Sequence, residues 1–234
     1  MTFVLVHGAW HGAWCWRHVL PLLRQAGFES HAVTLTGLGD RAHLAHADIN
    51  LDTHIQDVIG LIETEELHDV VLVGHSYAGM VITGVADRIG DRIKRLVYFD
   101  AFVPSNGKSL LDYAGEARAA MQRREGETSG TIGPMPAAAL GLTRADDIAW
   151  ATRRQVRHPF RTMSQALALS NEAALAKIPK AFVNCHSATG TFEQFAVKIR
   201  ENPSWLYRDL KTGHDAMIID PEGTARVLIE CATA

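Results

Sequence analysis

Short apolar runs alternate along most of the chain with longer stretches of helical spacing. Phe3-Val4-Leu5-Val6 and Val70-Val71-Leu72-Val73 are unbroken and rich in β-branched residues, the pattern of strands buried on both faces of a sheet. Similar runs cover 29–35, 96–99, 180–184 and 204–210. Between them, apolar positions recur every three or four residues. Trp16, Val19, Leu20 and Leu23 predict a helix over 16–26 closed by Gly27, and Ile55, Val58, Ile59 and Ile62 predict one over 52–67. Further helices are predicted from Met80 to Ala86, over 191–200 and over 221–231, the last opened by Pro221. Alternation of buried strands with helices predicts an α/β fold, a mainly parallel sheet of about six strands flanked by helices. In such a sheet, functional residues belong at the carboxyl ends of the strands.

The alternation breaks between 105 and 178. Gly and Pro cluster over 126–141, charges become frequent, and no strand-like run appears. Helices are predicted over 110–123, 144–156 and 162–175. A helical insertion between two strands reads as a cap over a site at the sheet edge. The expected organisation is a core of 1–104 and 179–234 with a helical cap at 105–178, inserted after the fourth strand.

Composition narrows the partners. The 234 residues suffice for one domain with a full core. The formal net charge is −3, from 23 basic and 26 acidic residues with no basic stripe, so no nucleic acid partner is expected. Cys15, Cys185 and Cys231 are scattered and odd in number, neither a disulfide framework nor a metal cluster. Reduced thiols suit a cytoplasmic location. The run at 3–6 is too short for a signal peptide, and no window reaches membrane-spanning length, so no membrane partner is expected.

The candidate chemistry begins at Gly74-His75-Ser76-Tyr77-Ala78. Ser76 sits where a buried strand turns sharply into a helix. Such a turn strains the backbone, lifts the side chain clear of the sheet and places it near the positive end of the helix. The alternative is a turn serine that caps the helix. A serine nucleophile needs a base, and the base needs orientation. His214, in the loop after the last strand, has the late position that the order nucleophile, acid, histidine requires. His186 is the second candidate. His7 is expected to be structural, and His75 to point away from Ser76 as neighbours in an extended segment do. Asp100, ending the strand 96–99, is the candidate acid, with a helix cap or loop brace as its alternative role. The loop 186–191 holds no carboxylate, so Glu193 is the reserve, and Asp215 is too close to His214 in sequence to support its ring. In the loop His7-Gly8-Ala9-Trp10-His11-Gly12, glycines free backbone amides, and the Ala9 N–H can serve half of an oxyanion hole while the tryptophans brace. Gly37-Leu38-Gly39 lacks the helix and third glycine of a dinucleotide site. Asp40 and Arg41 beside it are expected to form a local ion pair.

Together the segment from Phe3 to Trp16, the Gly74-His75-Ser76 turn and the late Gly213-His214 resemble the α/β-hydrolases, in particular the plant methylesterase and hydroxynitrile lyase group and its bacterial esterase relatives. The resemblance covers nearly the whole chain and implies the α/β-hydrolase fold. It makes Ser76 the nucleophile and His214 the base, and gives the oxyanion hole to the Ala9 and Tyr77 N–H groups. The lyases carry threonine at the place of Gly8 and lysine at that of Asp215. A reversed charge at the second place disfavours cyanide release and argues for ester hydrolysis. The family's acid follows the fifth strand, whereas Asp100-Ala101-Phe102-Val103-Pro104 resembles certain haloalkane dehalogenases, which place it one strand earlier. The expected function is serine-dependent hydrolysis of a small hydrophobic or aromatic carboxylic ester, with Trp10, and Trp150 beside it, as substrate contacts. No metal or cofactor is implied. The expected partner is the ester, with a homodimer as an allowed assembly. The alternatives are a cofactor-free dioxygenase or C–C lyase, and a ligand-binding protein without turnover.

Overall fold

The computed structural model describes residues 1–186 and 190–234. The chain runs β1 (Thr2–Val6), α1 (Val19–Gln25), β2 (Glu29–Val33), α2 (Leu51–Thr64), β3 (Val70–His75), α3 (Ala78–Ile89) and β4 (Ile93–Phe99). The 105–178 segment holds α4 (Glu116–Ser129), β5 (Thr131–Ile132), α5 (Ala145–Thr152), β6 (His158–Pro159), α6 (Arg161–Ser164) and α7 (Glu172–Lys177). Then β7 (Lys180–Asn184), α8 (Glu193–Arg200), β8 (Trp205–Asp209), α9 (Ala216–Ile219) and α10 (Pro221–Thr233) complete the fold.

Six strands form one parallel sheet in the order β2-β1-β3-β4-β7-β8. Period-two alternation sends each strand's residues to opposite faces. Val4, Val6, Leu72, Leu96, Tyr98 and Phe182 pack on one side with α2 and α3. Phe3, Leu5, Val71, Val73, Val97 and Phe99 pack on the other with α1 and α10. Register then aligns the strand ends that matter. His75 pairs with Phe99 across β3 and β4, so Ser76 and Asp100 each stand one residue past the same rung.

Several expectations are corrected. The helix predicted over 16–26 is a 3-10 turn, Ala13–Trp16, followed by α1. Pro21 lacks an N–H and is tolerated only in a first helical turn, which delays the start. The stretch 110–123 divides into a 3-10 turn, Leu110–Tyr113, and α4, at Gly115 with φ +77°. The helix predicted over 162–175 is two short helices. Between them the Ser170 and Asn171 amides donate to the buried Asp87 carboxylate at 3.0 and 2.7 Å, which holds the chain out of helical geometry. The 105–178 segment also contains a two-stranded antiparallel pair, β5 with β6, too short to show a period. Arg41 pairs with Asp57 on α2 at 3.1 Å instead of Asp40, because Asp57 already accepts from the Thr36 amide and hydroxyl next to it. Among the described residues, no helix is long and apolar enough to cross a membrane.

Candidate active site

β3 ends at His75 and α3 begins at Ala78, so two residues must reverse the chain. Ser76 takes φ +55°, a conformation that costs an L-residue about 1–3 kcal/mol and persists only when neighbours enforce it. They do so through the backbone. The Ser76 amide donates to Phe99 O at 3.3 Å, and its carbonyl accepts from Gly79 and Phe102 at 3.2 and 3.1 Å. A Cβ at Gly79 would overlap the carbonyl of Phe102. Gly79 therefore permits this close approach, and Ala78 fits fully buried beside it.

Asp100 is fully buried at the end of β4, with φ +44°. Its Oδ1 accepts the Cys185 N–H at 3.2 Å, and its Oδ2 lies 2.7 Å from His214 Nδ1. The carboxylate is thus a loop brace and a histidine partner at once. With Nδ1–H donating to Asp100, His214 keeps an unprotonated Nε2. Three other contacts fix this ring. Phe192 stacks on it at 5.1 Å, His75 packs at 4.4 Å, and the His75 Nε2–H donates to the His214 carbonyl at 3.0 Å. Burial first, then the His214 ring, hold the His75 pKa well below its ordinary value, so His75 is a neutral brace, a role the sequence did not suggest.

Ser76 and His214 line one cavity, together with Ala9, Trp10 and Tyr77. Among the described residues, Ser76 Oγ makes no hydrogen bond to the ring. The Ala9 and Tyr77 amides donate to no protein acceptor among the described residues, leaving two N–H groups beside the serine. Trp10, at φ +66°, is tied into the 105–178 segment. Its indole N–H donates to Ile132 O at 3.1 Å, its amide to His158 Nδ1 at 3.4 Å, and its carbonyl accepts from Val156.

Other candidates fall elsewhere. His186 Nε2 meets Asp209 at 2.7 Å, half-exposed. Glu193 faces Asn184. Three residues of the acid-free loop, 187–189, lie outside the described residues. His7 is structural: its Nδ1–H donates to Gly8 O and its Nε2 accepts the Leu35 amide. Trp150 packs on Trp14 and Arg154, away from the cavity. Asp215 likewise leaves the cavity lining and pairs with His11 at 3.0 Å. The charge argument against cyanide release therefore reduces to the lack of a cation at that position. His75, His214 and Asp215 each bring a ligand-type atom within 4.8 Å of the others. Asp215 Oδ2, His75 Nε2 and His214 Nδ1 are engaged within the protein, whereas His75 Nδ1 and Asp215 Oδ1 are buried without a hydrogen-bond partner among the described residues.

A model of the alpha/beta hydrolase family matches residues 3–227. The chain belongs to that family. It is 41% identical to the carbendazim hydrolyzing esterase of Nocardioides sp. (strain SG-4G), over 97% of this chain and 98% of the relative. It is 26% identical to the putative methylesterase 11, chloroplastic, of Arabidopsis thaliana, over 98% of this chain but 63% of the relative. An extracellular alpha/beta-hydrolase from a Paenibacillus species superposes with a TM-score of 0.88 over 100% of both chains at 22% identity, a likeness of fold. In this alpha/beta hydrolase the remaining cavity wall comes largely from the 105–178 segment, including Leu110, Arg118, Gln122, Met135 and Met163. Sequence reading missed these residues. Gln122 stands next to Arg123 and Arg124 in a helix without a clear apolar face, so nothing local marked it as buried.

Proposed function

We propose that the protein is a serine carboxylesterase working through an acyl-enzyme. The 2.7 Å contact between Asp100 Oδ2 and His214 Nδ1 carries this reading, because it leaves Nε2 as a base in the cavity that holds Ser76. Ser76 Oγ attacks the acyl carbon while its proton passes to His214 Nε2. Asp100 stabilises the imidazolium. The Ala9 and Tyr77 N–H groups receive the charge that develops on the acyl oxygen. The imidazolium then protonates the departing alkoxide. Water, activated by the same nitrogen, cleaves the acyl–Ser76 bond and releases the acid.

An esterase relative matched over nearly its full length supports the reaction class, and the apolar residues of the cavity wall, Leu110, Met135 and Met163 among them, support a small hydrophobic or aromatic ester, with Trp10 as a contact. The 105–178 segment acts as the cap that shapes this cavity. Hydrolysis is favoured over cyanohydrin cleavage because a Cβ at Gly8 would lie 2.9 Å from Ser76 Cβ, which leaves no ready place for a threonine. Stopped-flow hydrolysis of para-nitrophenyl acetate tests the proposal. One equivalent of nitrophenol should burst per active site, and Ser76→Ala should show neither burst nor turnover. Undiminished turnover in Ser76→Ala overturns it and favours chemistry by the His214–Asp100 pair alone.

A further inference from the structure

Two polar side chains of α4 line the cavity without the partners their chemistry asks for. Gln122 is 3% exposed, yet its carbonyl Oε1 meets no donor among the described residues. A bare buried acceptor destabilises a protein, and native structures keep few of them. Arg118, one helical turn earlier, lines the same cavity. Its Nη2–H donates to the Met135 sulfur at 3.2 Å, a weak acceptor. The guanidinium forms no ion pair among the described residues, and burial pulls its pKa below the ordinary value. Around them the wall is apolar, from Leu110, Met135 and Met163.

We infer that Arg118 and Gln122 are specificity-determining residues for an ester that carries, away from the scissile bond, an N–H donor beside an acceptor atom, as in an amide, a carbamate or an N-heteroarene. The inference rests on the ester hydrolysis proposed above. The ligand N–H donates to Gln122 Oε1, and its acceptor atom receives a guanidinium N–H from Arg118. A purely apolar group leaves both unsatisfied. A carboxylate would serve Arg118 but bring no donor for the Gln122 carbonyl, so a neutral donor–acceptor group is the match.

Three methyl esters of one size class test this: methyl para-acetamidobenzoate, methyl para-isobutylbenzoate and monomethyl terephthalate. Each is read as kcat/KM for its own hydrolysis or, where it binds without turnover, as Ki against para-nitrophenyl acetate. The acetamido ester should lead the isobutyl ester by about tenfold or more, and Gln122→Met and Arg118→Met should each bring that ratio within about threefold. The ratio compares two ligands on one protein, so a loss of folded material cancels, and either variant suffices if the other does not fold. Equal constants for the acetamido and isobutyl esters, a ratio unmoved by either variant, or preference for the carboxylate overturns the inference. Those outcomes leave the esterase reading standing. Retained turnover of para-nitrophenyl acetate in Ser76→Ala sinks that reading instead, while the Ki series still decides the recognition.

Discussion

The strand ends and the 105–178 segment enclose one cavity by opposite means. At the strand ends, Ser76, Asp100 and His214 are held by buried backbone bonds, and Asp100 and His214 also by each other. Their backbone strain is balanced by neighbours that leave little freedom. The 105–178 segment is built from short helices and one small strand pair. Trp10 and the Asp87 carboxylate tie it to the rest of the chain, and exposed ion pairs add to this, Arg157 to Glu125 at 2.6 Å within the segment and Arg161 to Asp48 at 3.2 Å across its edge. Such pairs contribute little, from zero to about 1 kcal/mol each. Rigid geometry serves a reaction that fails when an atom is an ångström out of place. A wall built from side chains of separate short elements can change its lining without disturbing that geometry. On the proposed reading, rate resides in the first region and selectivity in the second.

The contrast should appear first in stability. Gly79→Ala forces a methyl into the Phe102 carbonyl and should cost about 3 kcal/mol or more, read by urea denaturation. A loss below about 1 kcal/mol would show that the strand-end region yields more than its packing implies.

Acid should act on the same side of the molecule. His7 and His54 are neutral because burial, their largest influence, lowers their pKa to about 3 and about 4 from 6.5. The unfolded chain takes up these protons near 6.5 and the folded one does not. Their stability contribution is complete above pH 6.5 and is lost as pH falls toward the folded values, at roughly 1.4 kcal/mol per group per pH unit. His11 has the opposite sign. Burial lowers its pKa, but the Asp215 carboxylate outweighs burial and the net shift is upward. Its contribution is full below 6.5 and fades as pH rises past it. Denaturation between pH 4.5 and 8.5 should show both slopes, and Asp215→Asn should remove the alkaline one alone.

Smaller effects belong at the junction and on the outer segment. Trp10→Phe removes the indole bond to Ile132 and should cost about 1 kcal/mol. Arg157→Ala should cost less than about 1 kcal/mol. A larger loss for Arg157 than for Trp10 would invert the comparison.

The difference also explains what the sequence made legible. Buried strands advertise themselves as runs of Val, Leu and Phe, and a Ser between such a run and a helix has few roles. Asp100 was readable because it ends a strand beside β3. The rest depended on distant contacts. Asp87 holds Ser170 and Asn171 out of a helix from 83 residues away in sequence, and no local pattern encodes that. The Arg41–Asp57 pair and the His75 brace under His214 are likewise products of tertiary packing. Gln122 and Arg118 look like surface residues of a charged helix until the fold turns them inward.

The proposed reaction requires Asp100 to be the carboxylate that orients His214. Steady-state kinetics on Asp100→Asn and Glu193→Gln, with para-nitrophenyl acetate, tests it directly. With Asp100→Asn, kcat should fall by about 10³–10⁴, and with Glu193→Gln it should change within a few-fold. A large fall for Glu193→Gln beside a nearly unaffected Asp100→Asn would contradict it.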